Sequence, residues 1–298
     1  MNQAATSLAS RQKPRRLGPW ITVLILALLT TWLLRRGLDY YRQDLAARAA
    51  HPDYRALNPA GFLGHGYGIV GTAMIATNLL YLVRRRFAKV IPDWAGSVKA
   101  WLNAHVFTGL VGSLLVVFHS AFQLRTAIAT VTALSLGIVV GTGLVGLYLH
   151  LLLPKAGLSP LKSRLSEIEP LLPGLVKQVD AFVLATPAAS LPYDASFVRM
   201  LFTVPRWLLD ARVRRRGVKK AARQDKLFRA VERTEPALAR ALVAELGDLA
   251  AAEVDTLAGG ALMRSWRSLH RFLAVLMLVS VSVHIGVAWH YGFRWVFR

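Results

Sequence analysis

Long apolar runs alternate with short polar connections along most of the chain, and that alternation predicts its elements. Runs at 17–34, 61–83, 101–124, 128–153 and 268–290 each approach the ~20 residues that a helix needs to cross a bilayer core, so five transmembrane helices are expected. The first run, LGPWITVLILALLTTWLL, follows Arg11, Lys13, Arg15 and Arg16, as a signal peptide would. It is long for such a peptide, and Arg35 and Arg36 stand where a cleavage site belongs. An uncleaved anchor is the expectation. Between the fourth and fifth runs lies the one substantial polar segment, 154–267. Its stretches LKSRLSEIEPLL, VRRRGVKKAARQDKLFRAV and EPALARALVAELGDLAAAEV have the mixed apolar and charged pattern of amphipathic helices. Within it FVRMLFTVPRWLL is apolar but short and is interrupted by Arg199, Pro205 and Arg206, which predicts a surface or packed helix rather than a crossing. The expected organisation is all-α: 1–60 as tail, anchor and loop, 61–153 as three spans, 154–267 as a cytoplasmic helical insertion, and 268–298 as the last span with its tail.

Composition agrees with a membrane protein. More than half of the residues are hydrophobic and fewer than a fifth are charged, which excludes an ordinary soluble protein. Zero cysteines exclude disulfides, thiolate zinc sites, cysteine-held iron–sulfur clusters, covalently attached c-type haem and cysteine nucleophiles. The net charge of +21 would suggest nucleic acid in a soluble chain, but its distribution argues otherwise. Lys and Arg number 4 before the first run, 5, 5, 1 and 19 in the successive connections, and 3 from Arg271 onward. An N-terminus in the cytoplasm places the groups of 4, 5 and 19 inside, with 35–60 as the one dissenting loop. The C-terminus is then outside, in a bacterial-type cytoplasmic membrane.

Four histidines carry the functional signal. His105 and His119 lie on the third predicted span, His270 and His284 on the fifth, and both pairs are 14 positions apart. Fourteen residues fall about 40° short of four full turns, so each pair shares a helix face with about 21 Å between its members. If the insertion is wholly cytoplasmic, the two spans run in the same sense, and equal depths match His105 with His270 and His119 with His284. A haem iron takes four nitrogens from its porphyrin and leaves two axial positions that neutral imidazoles fill. Two facing imidazoles at two depths therefore suit two stacked b-type haems. The competing reading is four polar residues used for interhelical hydrogen bonds.

These histidines resemble those of the di-haem b-type cytochromes, a class that includes cytochrome b of the respiratory bc complexes and the ferric reductase-like transmembrane proteins. The resemblance covers 61–153 and 268–290 and carries over only His105, His119, His270 and His284. It implies a four-helix haem bundle that moves electrons across a membrane. The first span and the insertion lie outside it.

GYGIVG (Gly66 to Gly71) and GTGLVG (Gly141 to Gly146) fit a dinucleotide-binding pattern, but they lie inside apolar helices without the preceding strand that motif needs. Missing side chains there, as at Gly71 and Gly141, let either a flat macrocycle or a neighbouring helix come close. Haem propionates need cations, which makes Lys99, Arg267 and Arg271 candidates inside and Arg125 a candidate outside; snorkelling explains each equally well. Trp101 and Trp266 are expected at the inner boundary, Trp289 and Trp295 at the outer. His65 opens the second span and His290 closes the fifth, both on the outer side, where quinone binding, proton relay, ligation of a third haem or plain interfacial placement are open; His150 is treated alike on the inner side, and His51 has no assigned role. The expected function is transmembrane electron transfer by a subunit of an oxidoreductase complex, with a cytochrome c or iron–sulfur protein as partner. Its rivals are a quinol-oxidising or quinone-reducing anchor, which would add a quinone, and a haem-free scaffold or transporter whose insertion, at net +7, docks an acidic partner or anionic lipid.

Overall fold

The computed structural model describes residues 17–153, 159–185, 196–197, 199–200, 202 and 211–291. The basic cluster Arg11 to Arg16, most of 197–209 and Trp295 fall outside the described residues. Among those described there are helices and turns but no strand, and five helices are long and apolar enough to cross a membrane. The protein is an all-α, multi-pass membrane protein. Its helices are α1 (Leu17–Arg42), α2 (Phe62–Arg86), α3 (Val98–His119), α4 (Ala127–Leu152), α5 (Pro160–Ile168), α6 (Pro173–Leu184), α7 (Ala211–Ala222), α8 (Lys226–Thr234) and α9 (Pro236–His290), with one-turn helices at Ala47–Ala50 and Tyr54–Leu57. Very little of the most apolar stretches of α4 and α9 is buried in protein, so the rest of these surfaces must meet lipid or a bound group.

The chain divides into two compact units, 1–140 with 276–298, and 141–275. In the first, α2 and α3 approach most closely where glycines face each other. A methyl group at Gly71 would stand 2.7 Å from the Gly112 carbonyl oxygen, and one at Gly112 would stand 2.8 Å from that of Gly71. α1 joins this pair through Leu33, which is buried with Val111, Leu115 and Phe118. The last turns of α9 run opposite to α4: Thr132 bonds Ser280 through their hydroxyls at 2.8 Å, and Leu136 is buried with Met277. Because α3 and α4 are consecutive spans joined by a short turn, α3 and the end of α9 run in the same sense.

α3 was expected to reach 124 but stops at His119, where Ala121 and Phe122 take left-handed backbone angles (φ 47° and 58°). Such a turn costs roughly 1–2 kcal/mol per residue. Arg48 offsets the cost. Its buried guanidinium donates to the carbonyls of Ala121 (2.8 Å), Tyr41 (2.7 Å) and Gln43 (2.9 Å), closing the ends of both α1 and α3. Arg36 pairs with Asp53 at 3.3 Å. Two of the five cations between residues 35 and 60 are thus engaged within the protein.

In the second unit α5 to α8 and the N-terminal part of α9 bury one apolar core containing Leu161, Leu175, Val179, Val218, Phe228 and Leu246. Ser159 caps α5 by accepting from the Lys162 amide, and Asp225 caps α8 by accepting from the Phe228 amide. The expected boundary between an insertion ending at 267 and a span beginning at 268 falls inside α9, a single 55-residue helix. The paired glycines 259 and 260 do not break it. Val254, Ala258, Ala261, Leu262 and Ser265 continue one buried face past them, and Leu153 packs against Gly259.

Candidate functional site

His119 ends α3. Its Nδ1 lies 2.8 Å from the Gly64 carbonyl. Nδ1 donates to that oxygen, leaving Nε2 as the nitrogen with a lone pair. The ring lies against α2 at Gly68, where an added methyl would come within 2.7 Å of Nδ1. The His65 ring stands 6.2 Å from that of His119, centroid to centroid, at 67°.

The other histidine of α3 is held differently. The His105 Nδ1 is buried without a hydrogen-bond partner. Its ring tilts against Tyr81 at 5.1 Å and lines a cavity of about 100 Å³ with Asn78, Trp101 and Thr108. Beside it Thr108 donates to the Asn78 side-chain oxygen at 2.7 Å, a polar tie between α3 and α2. The cavity alone is too small for a macrocycle.

In the second unit His270 sits in a closed set of contacts. Its Nδ1 meets the Thr142 hydroxyl at 2.9 Å, its ring stacks on Trp266 at 5.3 Å and 19°, and the Trp266 indole N–H donates to the Thr142 carbonyl at 2.8 Å. Trp266 fits over Gly146, where any side chain would collide with the indole. It therefore buttresses His270. Gly143 lies beside the same imidazole.

The remaining predicted residues divide plainly. Gly71 is occupied by the Gly112 backbone and serves helix packing, whereas Gly141 faces open space. Lys99, Arg125 and Arg271 are exposed, and the Arg271 Nε donates to the Arg267 carbonyl. Trp101 donates to the Ala95 carbonyl at 2.7 Å, and Trp289 is exposed. His150 and His290 are exposed helix-end residues, while the Nδ1 of His51 accepts from the Asp53 amide. Gly64 was not singled out from the sequence, and Gly68 and Thr142 only as members of the two glycine motifs. The signal for Thr142 was present: a hydroxyl within an otherwise apolar helix.

Among the described residues no group of three or more His, Asp or Glu could enclose a metal ion. A porphyrin needs less from the protein, since it brings four donors itself. His119 fits that requirement: its Nδ1 donates to a backbone carbonyl, the arrangement that orients a metal-binding imidazole and makes Nε2 its ligating nitrogen, and the Thr142 hydroxyl orients the His270 ring through the same atom. No family model, curated protein or solved structure matches the chain. The contacts around these histidines are what bears on its chemistry.

Proposed function

We propose that this protein is a transmembrane electron carrier holding two haems b, one with His119 and His284 as axial ligands and the other with His105 and His270. The observation that supports the reading is the tethering of His119 and His270 through Nδ1, to Gly64 and Thr142, which orients each ring and, at His119, leaves Nε2 with the lone pair. Bound haem would supply a one-electron ferric/ferrous couple. The chain's own part is to present Nε2, keep water away with apolar helix faces and offer Lys99, Arg125 and Arg271 to the propionates. The 14-residue interval sets the ligand levels about 21 Å apart along each helix, which brings the macrocycle edges much nearer than the irons. Positive charge on the connections favours a bacterial-type cytoplasmic membrane with the N-terminus inside and the C-terminus outside. With no flavin or nicotinamide motif in the chain, donor and acceptor are separate subunits, a cytochrome c or an iron–sulfur protein among them.

A pyridine haemochrome count on the purified chain tests this reading. Two haems b are expected in the parent and one fewer in each of His119→Leu and His270→Leu. A colourless, folded preparation would reject the reading in favour of a scaffold or transporter, and an unchanged count in both variants would reject the ligand assignment.

A second reading, a quinol-oxidising or quinone-reducing subunit, is favoured by one feature. The hydroxyls of Tyr40 and Tyr41 are buried without partners in the aromatic cluster beside Phe118, and a quinone carbonyl could accept from either. Reduction of the haems by added quinol, lost in Tyr41→Phe, would support it. Equal rates in both proteins would remove it.

A further inference from the structure

The second unit contains a cavity of about 350 Å³ between α7, α8 and α9 that the electron-transfer reading does not use. Its floor is apolar, formed by Phe228, Ala239, Val243 and Ala244, with Phe228 fully buried. Its rim is cationic. Two ion pairs brace the walls: Arg215 to Asp248 at 2.7 Å joins α7 to α9, and Arg223 to Glu232 at 3.0 Å joins the end of α7 to α8. These pairs consume both carboxylates of the lining. Arg216, Lys219 and Arg240 remain, and none has a carboxylate within ion-pair distance among the described residues. The Arg240 Nε donates to the Pro236 carbonyl at 3.0 Å, which leaves its terminal nitrogens for a ligand.

We propose that this cavity binds a phosphate-bearing anion with an apolar portion. Three uncompensated cations on one rim attract a multiply charged group, and two of them are guanidinium forks suited to phosphate oxygens. The volume lies at the small end of the ligand-pocket range, roughly 300–1,000 Å³, which suits a head group or small phosphate ester better than a peptide. The apolar floor accepts the uncharged part of such a molecule. Lipid head group and soluble phosphate share this chemistry, and the site does not depend on whether haem is bound elsewhere.

The test is calorimetric titration of the full-length chain in detergent with inorganic pyrophosphate and, separately, with dihexanoyl-phosphatidylglycerol, using dihexanoyl-phosphatidylcholine as the blank. Saturable submillimolar binding of at least one anion is expected, weakened about tenfold or more in Arg216→Gln/Lys219→Gln and unchanged in Arg85→Gln/Arg86→Gln, a basic pair elsewhere. Tighter pyrophosphate binding identifies a soluble ligand, and tighter phosphatidylglycerol binding identifies a lipid head group. Circular dichroism checks folding. If the double variant loses helix, Arg240→Gln replaces it with the same expectation. Absence of saturation by both anions, or equal weakening in the control pair, would overturn the proposal.

Discussion

The two ends of α3 present the same side chain in different settings. At one end His119 has its Nδ1 satisfied by a backbone carbonyl and its ring fitted against a glycine of α2. At the other, His105 has a buried Nδ1 without a hydrogen bond beside a small cavity. A buried polar atom without a partner costs about 1–3 kcal/mol, so the His105 end is the less settled in the absence of a ligand. Identical spacing therefore does not give identical preorganisation: the Gly64 carbonyl holds the His119 ring through Nδ1, whereas the His105 Nδ1 has no such partner.

The strongest way to break this comparison is steric. Gly68→Val should displace the His119 ring and lower haem content by about one per chain while sparing the His105 level, because the new side chain would occupy the ring's position. Equal loss at both levels, read from the two haem spectra, would show that the ends are not independent. Next in size is Arg48→Ala. Removing the donors to three carbonyls should cost about 3 kcal/mol, and amide exchange should rise around 119–123 but not around 98–105.

A smaller effect is expected in the second unit. Thr142→Val keeps the shape but removes the hydroxyl bonded to the His270 Nδ1; with Nε2 on ferric iron that hydroxyl would be the acceptor, and its loss would make the imidazole a weaker ligand. The midpoint potential of one haem should rise by about 40 mV, equivalent to about 1 kcal/mol, with the haem count unchanged. Redox titration reads this directly. The smallest expected effect is that of His65→Leu, in which both haems should be retained. Loss of one would transfer the ligand role from His284 to His65, whose ring is the one in contact with His119.

Much of the fold was legible because the forces behind it are local. Apolar runs long enough to span lipid declare themselves, and four of the five helices begin within a few residues of where hydropathy alone puts them. The ends were less legible. The stop of α3 depends on Arg48, distant in sequence, reaching the Ala121 carbonyl. The continuity of α9 through Gly259 and Gly260 depends on a buried face that helix propensity alone opposes. The candidate histidines could be read from their interval, but their surroundings could not. A backbone acceptor such as Gly64 has no side-chain signature, and Trp266 resembles any interfacial tryptophan until it is seen over Gly146. The basic lining of the α7–α9 cavity had the same limitation: the sequence shows cations, and only the structure shows which are already paired.

Low-temperature electron paramagnetic resonance of the oxidised, purified chain tests the central claim most directly. Two low-spin ferric signals typical of bis-imidazole coordination are expected, one of them missing in His119→Leu. A high-spin ferric spectrum, or no iron signal from a folded chain, would contradict it.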